Sequence, residues 1–358
     1  MNYSNRYQHP ALPLSRILAL LITFAAIGTG SRAAGAEPPA VRVENIRRVF
    51  HNGEHNAFTD LIRWRGKFWL TFRSSSIGHA VNSSSSIIVL SSTDARTWKQ
   101  VHRFSVPDRD TRDPHFLPFK DKLFVYSGTW YVGKGPLPDG GKSDFNRHLG
   151  FAAWTGDGER WEGPKLLEGT YGHYIWRAAT HGDKAYLCGR RAYAGGQQSA
   201  MLESDDGLVW KFRSLFQESR GNETAFIIDP DGAITAVSRK TSNTSDLSRS
   251  RPPYAKWERQ EIPEFVGGPL LVRWGGHLLV AGRKQTPAGP QTTFSWLIDG
   301  KLSPFAQLPS GGDNSYPGFV ELEPGRALIS WYSTHEKAAD GNPMTAIYLA
   351  ELVRTDRR

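Results

Sequence analysis

Cysteine is nearly absent. Cys188 stands alone in 358 residues, so the chain cannot close an internal disulfide. It lies in the apolar run "KAYLCGR" and reads as a small core residue. Helical periodicity is almost missing as well. One long apolar run occurs, Ile17 to Ile27, and it is too short to span a bilayer as an anchor. No HExxH or CxxC spacing marks a metal site, and no glycine-rich phosphate loop is present, so neither metal nor cofactor is expected. Long blocks of lysine and arginine are also lacking, which argues against a nucleic-acid partner.

What the first residues do contain has the order of an export signal. Arg6 and Arg16 precede the apolar run, small residues follow, and Ala34-Gly35-Ala36 fits the small-x-small cleavage rule. Residues 1–36 are therefore expected to be removed. Residues 37–358 would form the mature domain, a secreted or periplasmic monomer with no integral membrane segment. The formal charge of +9 loses the three leader arginines and becomes +6. That modest excess suits a positive pocket for an acidic glycan.

The body of the chain is rich in aromatics and turn residues, and short β-rich runs dominate, which predicts an all-β protein. Six segments share one shape, an apolar run, a tight turn and a second apolar run. Their turns are marked by Gly66, Asp121, Asp183, Gly232, Gly276 and Gly325. Seven residues beyond the markers stand Arg73, Gly128, Arg190, Arg239, Arg283 and Tyr332. Chance rarely puts arginine at one register in four of six hairpins. "STDARTW", "TGDGERW" and "SDDGLVW" follow three of the hairpins, and "YAKW", ending at Trp257, is a worn fourth copy. Their Asp and hydroxyl suit a side-chain-closed turn, and the tryptophan suits packing between sheets. The repeats predict a six-bladed β-propeller of four-stranded antiparallel blades. The leading "VRVENIRRVF" is left over, and is expected to complete the last blade and close the ring.

Antiparallel pairing places the start of each innermost strand and the end of the second on one face of the disc. That face collects Arg73, Arg112, Arg177, Arg190, Arg239 and Arg283, with Asp113, Glu223, Asp313, His55, His79, Tyr316 and His335. Arginines at a concave centre suit bidentate capture of carboxylate or sulfate. Loops at 129–148 and 240–253 are expected to overhang it.

The Ser/Thr-x-Asp-x-x-x-Trp copies resemble shortened Asp boxes, and nearly all of the mature chain resembles a sialidase-type propeller. That resemblance implies arginines gripping a substrate carboxylate, and a tyrosine nucleophile activated by a glutamate. Tyr316 in "DNSYPG" matches the nucleophile, Glu223 the glutamate, and Arg239 and Arg283 two of three carboxylate-binding arginines. Two positions depart from the pattern. His55 stands where the third arginine belongs, and His79 where an acid/base aspartate belongs. A carboxylated or sulfated sugar other than sialic acid then fits better, with His79 or Asp113 as acid/base. Three readings stay open: a glycoside hydrolase, a polysaccharide lyase using His, Tyr and Arg, and a carbohydrate-binding propeller without turnover.

Overall fold

The computed structural model describes residues 38–134, 137, 146–193 and 196–355. The export signal expected over 1–36 lies outside the described residues, as does half of the loop expected at 129–148. All regular structure among the described residues is strand, twenty-four strands in six antiparallel sheets of four. No described helix is long and apolar enough to cross a membrane.

The innermost strands are His55–Trp64, Arg109–Phe119, Tyr174–His181, Gly221–Ile228, Gly267–Trp274 and Asn314–Glu323. Each packs beside the innermost strand of the next sheet, and the sixth returns to the first. The sheets are thus blades around one axis, a six-bladed propeller. Five blades use four consecutive strands. In the sixth, Ala40–Phe50 pairs antiparallel with Pro343–Thr355 and forms the outer edge.

Local chemistry explains the hairpins. The turns Arg65-Gly66, Lys120-Asp121 and Gly275-Gly276 hold both central residues at positive φ, the geometry that matches strand twist in two-residue hairpins. The outer turns are closed by aspartate. Asp94 Oδ1 accepts the amides of Arg96 and Thr97, both at 2.8 Å. Asp157 and Asp206 repeat this on the two residues at the same offsets. Those backbone bonds bring the Asp94 and Asp157 carboxyls down to about 2. Trp210, closing the third such turn, is buried between blades against Tyr126.

Burial falls from the axis outward. Arg109–Phe119 is buried along nearly its whole length, whereas Trp161–Leu166 at the rim of the same blade is largely exposed. The loop expected at 240–253 is different in the structure. Ser245–Ser250 is the third strand of blade four, paired on both sides, which leaves a short turn at 241–244. Its polar sequence "SDLSRS" carries one apolar residue, Leu247, so it gives no hydrophobic alternation to read.

Candidate active site

All six innermost strands slip register against their partners at one height. Pairing skips Phe58-Thr59, Asp113-Pro114, Trp176-Arg177, Asn222-Glu223, Gly268-Pro269 and Tyr316-Pro317. Each is a β-bulge, which bends the strand and re-aims its side chains. Phe58, Asp113, Gly268 and Tyr316 sit in the left-handed region, with φ of 64°, 54°, 58° and 54°. Non-glycine residues held there cost about 1–2 kcal/mol each, so the surrounding contacts must enforce them.

Those contacts converge on Tyr316. Its ring meets Phe58 at 4.8 Å and Trp176 at 5.1 Å between centroids, and its hydroxyl donates to Glu223 Oε1 at 2.7 Å. Gly268 donates its amide to Glu223 Oε2 at 2.9 Å. A Cβ on Gly268 would stand 2.7 Å from the Tyr316 ring, so that close approach requires glycine. Arg239 donates to both Glu223 oxygens at 3.1 Å. Burial alone would raise the Glu223 carboxyl, but Arg239, the Tyr316 hydroxyl and the Gly268 amide bring it down to about 2. Burial, with Glu223 and Asp113 adding to it, pushes the Tyr316 phenol well above its ordinary value. The resting pair is a neutral phenol on a carboxylate.

Asp113 has the opposite setting. Tyr174 donates its hydroxyl to Oδ2, while Oδ1 is buried without a partner among the described residues. Burial raises this carboxyl to about 6, against the pull of Arg112 and Tyr174 and with help from Glu223. Two carboxylates with pKa values pushed apart are suited to different tasks at one pH.

The expected arginines divide into two groups. Arg73 is fully buried and spends its guanidinium on Asp110, Gly78 O and Ala80 O. Arg112 shares Asp110 and donates to His79 O at 3.2 Å. Together they fix the loop that carries His79. Arg177 reaches beneath the bulges to Pro269 O and Pro317 O, both at 2.7 Å, and to Asp60 at 3.2 Å. Arg73 and Arg177 are therefore internal ties, not the open substrate contacts expected of them. Arg239 and Arg283 have side chains 26% and 18% exposed. Arg190 lies to one side, over the Trp130 and Tyr174 rings.

His55 and His79 meet at Asp313. His55 Nε2 is 3.0 Å and His79 Nδ1 2.6 Å from Asp313 Oδ2, while Tyr332 and Arg283 take Oδ1 at 2.9 and 3.4 Å. Burial would raise Asp313, yet the two imidazoles hold it far below the carboxylate range. The three donor atoms lie within 4.8 Å of one another, a spacing from which a metal site can be built. Nitrogen and oxygen ligands of one tetrahedral zinc stand roughly 3.3 Å apart, however. The 2.6 Å contact is hydrogen-bond geometry. His335 is not brought into the cluster; its ring packs on Tyr348 at 4.5 Å.

Solved structures supply a relative for the fold. A Trypanosoma rangeli sialidase bound to the inhibitor DANA superposes with a TM-score of 0.63 at 13% identity, over 83% of this chain and 55% of its own. The likeness is one of fold. The chain thus spans about half the length of that sialidase. A Fusarium graminearum α-L-arabinofuranosidase bound to an iminosugar inhibitor gives 0.58 at 13% identity, over 88% of this chain and 97% of its own. A Penicillium chrysogenum α-L-arabinanase bound to arabinobiose gives 0.59 at 12%, over 86% and 98%. No family model matches the sequence, and no curated protein matches it.

The sequence pattern missed Phe58, Asp110, Tyr174, Trp176 and Gly268. One signal was available. Proline follows Asp113, Gly268 and Tyr316, and a proline within a strand run marks a bulge or an edge.

Proposed function

We propose that the protein is an exported glycoside hydrolase of sialidase type, acting on terminal carboxylated or sulfated sugars. Its leader, residues 1–36, would be removed on export. The observation that carries this reading is the Tyr316 hydroxyl on Glu223 at 2.7 Å, held at the axis by a strained bulge. Arg239 and Arg283 present positive charge to the substrate anion. Tyr316 Oη attacks the anomeric carbon while Glu223 takes the phenol proton. The raised phenol cannot ionise beforehand, so the proton leaves as the sugar becomes cationic. Asp113 gives its proton to the departing glycosidic oxygen, and the bond between carbon and that oxygen breaks. Water then attacks the glycosyl-tyrosine, Asp113 recovers a proton from it, and Glu223 returns one to Tyr316.

The test is covalent trapping. A panel of fluorinated glycosyl fluorides of sialic and uronic acids is incubated with the protein, followed by peptide mass spectrometry. A glycosyl adduct on Tyr316 is the expected result. Turnover of acidic glycans with no adduct on Tyr316 would remove it as nucleophile.

The second reading is a polysaccharide lyase. It is favoured by Asp313 holding His79 Nδ1, which leaves Nε2 to abstract a proton beside a uronate carboxylate. An unsaturated product absorbing in the ultraviolet would select it.

A further inference from the structure

Between blades two and three lies a cavity of about 540 Å³. Its size falls within the range of about 300–1,000 Å³ common to small-molecule sites. Three guanidinium groups line it, those of Arg147, Arg190 and Arg191. Among the described residues no carboxylate lines it, and none forms an ion pair with any of the three. Arg190 has one long hydrogen bond, 3.4 Å to the Asn222 amide oxygen, and Arg191 has one to Gln198 at 3.1 Å. Both are spread over aromatic rings, Arg190 over Trp130 and Tyr174, Arg191 over Tyr193 and Phe212. His148 and His173 in the wall are each brought down to about 4, mainly by burial, so they add no positive charge at neutral pH.

The cavity is joined to the chemistry through one residue. Tyr174 bonds Asp113 through its hydroxyl and lies under Arg190 with its ring. On the hydrolase reading the departing part of the glycan lies on the Asp113 side of Tyr316, and Tyr174 is the residue that touches both Asp113 and Arg190 of the cavity wall. Tyr171 and Tyr193 stand 40% and 60% exposed at its wall, apolar faces of the kind that cover sugar rings.

We propose that this cavity is a subsite for a second anionic sugar residue, on the leaving-group side of the bond cut at Tyr316. The position relative to the cut rests on the hydrolase reading; the preference for an anion rests on the cavity itself. Arg190 and Arg191 are partly buried and Arg147 is exposed, and among the described residues none of the three meets a carboxylate, so a carboxylate or sulfate gains most from the first two.

The test compares the wild type with the double variant Arg147→Ala/Arg191→Ala, neither residue being placed in the Tyr316 centre. Binding is measured by titration calorimetry with a hyaluronan tetrasaccharide, a chondroitin 6-sulfate tetrasaccharide and neutral chitotetraose. Wild type is expected to bind at least one anionic probe more tightly than the neutral one, and less tightly as salt rises. The double variant should bind that probe roughly tenfold or more weakly. A response to chondroitin 6-sulfate alone assigns sulfate, and an equal response to both anionic probes assigns carboxylate. Equal binding by wild type and variant overturns the proposal, as does no preference over chitotetraose or no binding of either anionic probe. Trapping at Tyr316 by the monosaccharide fluorides reports separately. Trapping with unchanged oligosaccharide binding sinks the subsite alone, and lost binding without trapping sinks the hydrolase reading alone.

Discussion

Replacing Asp113 with asparagine isolates one electrostatic cost. The carboxyl rises from 3.8 to about 6 because it is buried, with Arg112 and Tyr174 only partly offsetting the lost hydration. At about 1.4 kcal/mol per pKa unit, ionising it in the folded protein costs about 3 kcal/mol. The sign follows from proton counting. Between 3.8 and about 6 the folded state holds a proton that the unfolded state has released. The penalty is absent below 3.8, grows through that window and is complete above about 6. The carboxamide of Asp113→Asn carries no charge at any pH. Urea unfolding at several pH values, for both proteins, should show the variant gaining about 3 kcal/mol on the wild type between about pH 4 and about pH 7. Other titrating groups are common to both and cancel in the difference. The activity readout is independent: wild-type kcat/KM should fall above about pH 6, and the variant should lose roughly 10²–10⁴-fold in rate. Parallel stability curves would refute the claim that burial raises Asp113. A wild-type rate unchanged through pH 6 would refute its role as the acid.

Tyr316→Phe keeps the ring packing and removes the attacking oxygen, and Glu223→Gln removes the base. Each should lower kcat by roughly 10²-fold or more with an unchanged circular-dichroism spectrum, and full activity in either breaks the pair. Gly268→Ala puts a Cβ 2.7 Å from the Tyr316 ring at a φ of 58°. It should lose at least about 1–2 kcal/mol in urea unfolding and much of its activity. A neutral result would mean the approach is loose. Arg73→Met leaves Asp110 with Arg112 as its remaining guanidinium partner and frees the Gly78 and Ala80 carbonyls, so a loss of about 1–3 kcal/mol is expected in the same assay. Tolerance of that change would mean that Arg73 is not the tie described.

The blades were legible because propeller repeats write themselves into turns. Glycine or aspartate recurs where two-residue hairpins need positive φ, and aspartate recurs where outer turns need an amide acceptor. Tyr316 and Glu223 were placed on one face because both open innermost strands, and the family resemblance singled them out as a pair. The bulges were not legible, since a bulged register exists only between paired strands, and the residues alone give no count of the partner. Arg73 shows the same limit from another side. Its place in the repeat marked it for the binding face, but its role is set by Asp110, which belongs to the next blade. The arginine register is therefore partly architectural, and only burial and partners separate Arg73 from Arg239 and Arg283.

The edge strand of blade six carries a consequence for assembly. Ala40–Phe50 and Pro343–Thr355 are the first and last strands of the propeller, and they pair with each other. Five blades can form in order as chain is supplied, because each uses neighbouring strands. The sixth must keep its earliest strand waiting until residue 355 is available, the slowest kind of contact to make. Tyr316 lies on the innermost strand of that blade and Asp313 just before it, so the residues proposed for the chemistry belong to the blade that joins the two ends. A chain cut short before its last strand would hold most of the propeller and an open, inert site.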